Sequence, residues 1–451
     1  GGSNQSGTVS ESNVYMNSGT ADYVYGGNNS GGTTQSTNVT INGGTVNQDV
    51  YGGGSLADSN STRLQIGYPT LNNVYAGGEQ ASATTTQTTV RGATIQNLFG
   101  GSNIDGTVNR ASIQMTNGTI GNIYGGNNLG GSSSDATVMV DNGQIGTIYG
   151  GGNRASSETS TILINRGTID NIFGGGNEAG LETATININR GTIGNIYGGS
   201  NQSGDIDTTY ITVQYSTSTT VDNIFGGNNM GGVTTNSNVY VYGGTTGNVY
   251  GGGNEAEVTN PMVQVQNATV NNVFGGGNMA KITTNTSVTI TNSTILTNVY
   301  GGGNEGEVSG NTEVKITSSN INGSAYAGGN GAPAIVHQNT SITVEGDSVI
   351  GTETSTAPHA GCVFGGGNAA ATGTEANNNS LATVNIVGGK IYGNVYGGAN
   401  TSVVYGKTDT NIGTNAVEQT NLTEASINIG GTVFGGGEAN AAGDENYDFS
   451  F

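Results

Sequence analysis

The chain has no Trp, one Cys, four Pro and two His. One Cys excludes an internal disulfide scaffold, which needs thiols in pairs. Four Pro, and no Gly at every third position, exclude a collagen-like triple helix. Charge is scarce too: 9% of residues are charged, against about 25% in an ordinary domain. Ten Lys and Arg face 31 Asp and Glu, a net charge of −21, which argues against nucleic-acid binding through a basic surface. Over 451 residues this is about 0.05 charges per residue, too dilute to hold the chain unfolded by repulsion. No apolar run reaches the ~18 residues of a membrane-spanning helix, and no basic-apolar leader opens the sequence. The start at Gly1 suggests a processed chain or a segment of a larger one. Gly, 83 of 451 residues, fills the composition together with Asn, Thr and Ser. That balance points to an extracellular or cell-surface protein.

What is present is a repeat. An aromatic followed by two small residues occurs sixteen times, at Tyr25, Tyr51, Tyr75, Phe99, Tyr124, Tyr149, Phe173, Tyr197, Phe225, Tyr250, Phe274, Tyr300, Tyr326, Phe364, Tyr396 and Phe434. Spacings are 24 to 28 residues as far as Tyr326, then 38, 32 and 38. Asn13-Val14-Tyr15 reads as a partial copy leading the array. Within one unit, Ile162 and Ile164 alternate with Thr161, Leu163 and Asn165, the period of two of a half-buried strand. Arg166-Gly167 signals a turn, a second short strand runs from Thr168 to Phe173, and Gly174 to Gly176 turn the chain again.

A unit of this length cannot bury its own apolar face, but stacked on identical neighbours it can. The expected fold is all-β: a single parallel β-solenoid (β-helix) of about 16 coils of 24–26 residues, with longer, insertion-bearing coils toward the C-terminus. Leucine-rich repeats need more than the ten Leu present, propeller blades need about 40 residues, and nonapeptide calcium repeats need a period of nine. Residues 1–330 read as regular coils and 331–438 as coils with loop insertions, roughly Gly331–Gly361, Ala369–Leu381 and Thr401–Leu422. Residues 439–451 read as an acidic-aromatic tail, with Tyr447, Phe449 and Phe451 alternating as in an extended strand. Such a tail either caps the last coil or pairs with another subunit's edge.

Equivalent positions of stacked coils form columns. The residue before the aromatic is aliphatic in fifteen copies and Ala325 in one. Two residues after it, Gly stands in all sixteen, which requires either a positive φ or a close approach of backbone; of the two Gly positions this is the better candidate for positive φ. Four after it, Asn stands in thirteen. Asn tolerates the left-handed region, and at strand spacing Asn153, Asn177, Asn201, Asn254, Asn278 and Asn304 form an amide ladder. Tyr124, Tyr149, Phe173, Tyr197, Phe225, Tyr250, Phe274 and Tyr300 form a stacked ring ladder in which Tyr and Phe exchange freely. A second Asn column lies two before the ring. Opposite charges align one coil apart at Glu257, Lys281 and Glu307, and at Arg154 and Glu178. Arg166 and Arg190 align as a like-charge pair, unfavourable unless something anionic sits beside them, and so do Glu158 and Glu182.

No catalytic, cofactor-binding or metal-ligating set is expected, and the chain does not read as an enzyme. His337, His359 and Cys362 lie in or beside the first insertion, but without further ligands at a recognisable spacing, so an inert thiol is the expectation. Thr-rich stretches such as Thr84–Thr86 suggest ice binding, which needs Thr in two regular columns; only the turn Thr (Thr119, Thr168, Thr192) recurs well.

The Asn-[Ile/Val]-[Tyr/Phe]-Gly-Gly-x-Asn unit over residues 13–438 resembles the glycine-rich repeat regions of large bacterial cell-surface, adhesin-like proteins. The resemblance implies an extracellular rod that displays or adheres, and carries no catalytic residues over. The expected function is a non-enzymatic structural repeat protein, a self-associating filament or sheath subunit or a surface adhesin rod. Its partners would be other copies of itself, with surface glycans a second class, and no nucleic acid or membrane insertion. One alternative is a carbohydrate-binding or polysaccharide-cleaving β-helix with its site after Gly331; another is an ice-binding solenoid.

Overall fold

In the computed structural model, which describes residues 2–355, 360–413 and 426–438, the chain is all-β. Parallel strands in stacked coils form a β-solenoid of about sixteen turns. The coils group into two compact units, Gly1–Thr259 and Asn260–Phe451. The change from regular to insertion-bearing coils near residue 331 lies inside the second unit.

In the first unit each coil from Ser59 onward supplies one long and one short strand, while in the two coils before it the short strand is split, as at Thr20–Ala21 and Val24–Tyr25. The coil of Phe173 has a long strand Ser156–Ile164 and a short strand Thr168–Phe173. Ser160, Ile162 and Ile164 point inward and are buried, while Thr161 and Leu163 face outward. Gly167, at φ +145°, makes the turn between them, a conformation that costs a residue without Cβ little. The next coil repeats the pattern 24 residues on, Ile162 beside Ile186, Ile169 beside Ile193 and Phe173 beside Tyr197. Long strands stack in this way from Thr8–Met16 to Thr234–Val241. Ile and Val from both strands of every coil thus meet in one continuous core, which no single coil could close.

In the second unit the short strand is whole at Thr269–Phe274 and split in the coils that follow. Thr294–Ile295 and Val299–Tyr300 each pair with the next coil, at Asn320–Ile321 and Ala325–Tyr326. The long strands Thr286–Thr291, Thr312–Thr317, Thr340–Glu345, Ser380–Ile386 and Gly406–Ile412 stack in order. The insertions leave this register intact. Ile350 still pairs with Ile321 and Phe364 with Tyr326, so most extra residues of the first insertion fall between Ile350 and Val363, a narrower span than Gly331–Gly361. Those of the third follow Ile412 and fall largely on residues 414–425, outside the described ones.

Three sequence expectations change. Asn13-Val14-Tyr15 is not a leading motif copy: it sits in a long strand beside Asn38-Val39-Thr40, and Tyr15 is exposed. The position equivalent to Asn29 one coil earlier is Asn4, whose amide oxygen accepts from Asn29 Nδ2 at 2.6 Å. The invariant Gly two after each ring has no positive φ among the described residues. It is required by close approach instead: a Cβ on Gly101 would overlap the Asn127 amide, and one on Gly100, the residue before it, the carbonyl oxygen of Gly125. Nor do the ladder Asn adopt the left-handed region.

Candidate functional site

The ring column is a continuous stack within each unit. From Tyr25 to Tyr250, through Tyr124, Tyr149, Phe173, Tyr197 and Phe225, successive centroids lie 4.6 to 5.1 Å apart with interplanar angles of 3 to 11°. In the second unit Phe274, Tyr300, Tyr326, Phe364, Tyr396 and Phe434 stack at 4.8 to 5.0 Å. Strand spacing imposes the near face-to-face geometry. Burial pushes the Tyr124 hydroxyl up to about 12 and raises Tyr149, Tyr197, Tyr250 and Tyr300 as well.

Beside the rings runs the amide ladder. Asn128, Asn153, Asn177, Asn201, Asn229 and Asn254 each donate through Nδ2 to the Oδ1 of the preceding coil's Asn at 2.8 to 3.0 Å. Asn304, Asn330, Asn368 and Asn400 do the same in the second unit, where Asn278 accepts from Asn304. Ladder and stack are joined where Asn103 Nδ2 donates to the Tyr51 hydroxyl. Two exceptions to the Asn rule complement each other: Glu79 accepts from Ser55 Oγ at 2.7 Å and from the Tyr25 hydroxyl at 2.9 Å.

The second Asn column behaves differently in the two units. Asn97, Asn122, Asn195 and Asn223 bond amide to amide. Where the short strand is split, a side-chain acceptor takes the next coil's backbone N–H instead: Asn298 from Ser324, Ser324 from Cys362, Cys362 from Asn394 and Asn394 from Thr432. The Cys362 thiol, buried and raised by that burial, therefore stands in for an amide oxygen. His359 lies outside the described residues. Among the described ones, no three of His, Cys, Asp and Glu cluster as metal ligands.

Sequence reasoning missed a hydroxyl clip through the core. Thr37, Thr62, Ser160, Thr209 and Ser237, all buried on long strands, donate to the carbonyls of Gly52, Ala76, Gly174, Gly226 and Gly251 at 2.5 to 2.7 Å. Its signal was a small or hydroxylic residue 13 or more before each ring.

Arg154 meets Glu178 at 3.1 Å and Lys281 meets Glu307 at 2.6 Å. Arg110–Asp135 and Lys315–Glu345 repeat the arrangement, also one coil apart. Glu257 belongs to the first unit. Glu307 also faces His337 at 2.8 Å, and hydrogen bonding to Lys281 and then to His337 lowers its carboxyl below the usual range.

On the outer face of the long strands, Thr137, Thr161 and Thr185 run beside Thr159, Thr183 and Thr208. This two-column patch spans only a few coils. Arg110 and Asp135 precede it and the exposed Tyr210 follows.

Among the described residues no further coil covers that of Phe434. Val433 and Phe434 are 41% and 42% exposed, whereas Val395 and Tyr396, their partners one coil earlier, are 0% and 4% exposed. A Cβ on Gly365 or Gly397 would overlap the next coil's backbone, yet one on Gly435 or Gly436 meets nothing among the described residues. Tyr447, Phe449 and Phe451 lie outside the described residues.

No protein-family description, curated protein or solved structure matches the chain.

Proposed function

We propose that the chain is a non-enzymatic structural repeat protein of the cell exterior that associates with further copies of itself through coil edges. The observation that carries this is the exposure of Val433 and Phe434. Rings, glycine bends and strand edges that every earlier coil of the second unit covers with its successor are here without such a cover among the described residues. A stacked coil matches its own repeat by simple translation, so the best-fitting cover is another coil of the same kind, which puts each ring on a ring and each Gly against a backbone carbonyl. Edge-to-edge pairing of this sort adds a row of backbone hydrogen bonds and apolar burial together. The ladders support a surface or filament role as well, because stability then rests on uncharged rings and amides that vary little with salt. The broken Thr columns count against ice binding, which needs a regular lattice.

The test is electron microscopy and sedimentation of the chain beside Gly435→Leu and a truncation lacking 444–451. Oligomers or filaments that Gly435→Leu abolishes support the reading. A monomer at every concentration, with and without the tail, overturns it.

A further inference from the structure

Every coil of the first unit turns between its long and short strand, and in four successive coils the turn is floored by glycine. Gly118, Gly143, Gly167 and Gly191 all have φ between +125° and +145°. With no side chain on that row, the turns leave an open groove of about 720 Å³ that crosses the coils. Arg166 and Arg190 line it, with Asn117, Asn142, Gln144 and Ser218. Both arginines are exposed. They stand two residues before Thr168 and Thr192, which pair directly, so the two occupy the same turn position about one strand spacing, ~4.8 Å, apart.

Their surroundings differ from those of the four cations that form ion pairs with acidic residues one coil on. Arg110, Arg154, Lys281 and Lys315 each have a carboxylate on the following coil. Arg166 has another arginine there, and neither Arg166 nor Arg190 forms an ion pair or side-chain hydrogen bond among the described residues. The nearby carboxylate of Asp141 is occupied by Gln114 and Asn165 at 2.9 and 2.8 Å. Two like charges at this separation repel, and in a chain of net charge −21 they form a local cationic spot with no acidic partner.

We propose that this groove binds a linear acidic polysaccharide, with Arg166 and Arg190 each holding an anionic substituent, a carboxylate or a sulfate ester. Guanidinium forks match both groups bidentately. The uncharged donors and acceptors of Asn117, Asn142, Gln144 and Ser218 suit sugar hydroxyls along the same line. The glycine floor lets the chain lie against backbone. The site stands whether or not the protein polymerises, and it lies in the first unit, whereas the insertions after Gly331 belong to the second.

The test measures binding of the whole chain to polygalacturonate, dextran sulfate and neutral dextran by affinity electrophoresis and calorimetry. It is repeated with Arg166→Gln/Arg190→Gln and with Arg63→Gln, which removes an equal kind of charge from outside the groove. Binding to one or both acidic polymers and not to neutral dextran is expected, weakened about tenfold or more in the double variant, reduced by salt, and unchanged in Arg63→Gln. The two acidic polymers separate carboxylate from sulfate recognition. Failure to bind either, or equal loss in Arg63→Gln and the double variant, overturns the site. So does a double variant that binds normally but loses self-association, which would make the groove a contact between copies instead.

Discussion

Thr312 Oγ1 donates to the carbonyl oxygen of Ala327 at 2.6 Å, deep in the second unit. The bond ties the first residue of a long strand to the bend after the ring of the same coil, and Thr286 and Thr340 do the same for Gly301 and Gly365. Removing it leaves a buried carbonyl without its donor, so Thr312→Ala should lower stability by about 1–3 kcal/mol. Thr312→Ser keeps the hydroxyl and should recover most of the loss. Urea unfolding midpoints of the three chains check this.

The ring column gives a second pair of variants. Tyr124→Ala removes a side chain stacked on both faces, at 4.6 Å from Phe99 and 4.7 Å from Tyr149, and should cost roughly 3–5 kcal/mol. Tyr124→Phe keeps the stack and should stay within about 1 kcal/mol. Equal losses in the two would mean that the hydroxyl, not the ring, carries the column.

Glycine in the bend separates covered coils from that of Phe434. Gly365→Ala pushes a Cβ onto the Gly397 carbonyl and should destabilise by about 1–3 kcal/mol. Gly435→Ala, in the same column, meets nothing among the described residues and should stay within about 0.5 kcal/mol. Thermal unfolding of the two single variants is the measurement.

Alkaline pH should weaken the fold through the buried tyrosines. Their folded values are raised, Tyr124 to about 12, so the folded state holds protons that the unfolded state releases near pH 10. Stability is full below about pH 10 and falls as pH rises from there through about 12. A pH series of unfolding midpoints checks the direction; a flat profile across that window contradicts it.

Acid acts on one identifiable carboxylate. Glu307 is lowered by its bonds to Lys281 and His337, so its contribution is present above the ordinary carboxyl range and disappears as pH falls through the lowered value. Glu307→Gln should cost no more than about 1 kcal/mol at neutral pH, since the pair is partly solvated, and the gap to the parent should close below about pH 4.

The repeat made the fold legible. The spacing of the rings placed the coils, and the alternation around Ile162 and Ile164 placed the buried face. What stayed hidden was hidden for physical reasons. Gly101 and Gly167 are the same letter, yet one is required by a neighbouring amide and the other by its own φ, and only coordinates separate contact from conformation. The Thr37 clip uses a residue type common everywhere in this composition, so its column did not stand out. Arg166 and Arg190 were visible as an aligned pair, but the glycine-floored groove beside them depends on which side of the turn remains open.

Register passes through the insertions unchanged: Phe364 stacks on Tyr326 across a 38-residue interval as closely as Tyr197 on Phe173 across 24. The stretches after Ile350 and Ile412 are therefore places where the gene can carry extra codons without loss of register, and each whole coil is a cassette. Excising residues 168–191 would set Thr192 where Thr168 now pairs with Gln144, without any contact having to be invented. Recombination between near-identical repeats would change coil number while conserving every interface, which makes length the most easily inherited variable of this protein.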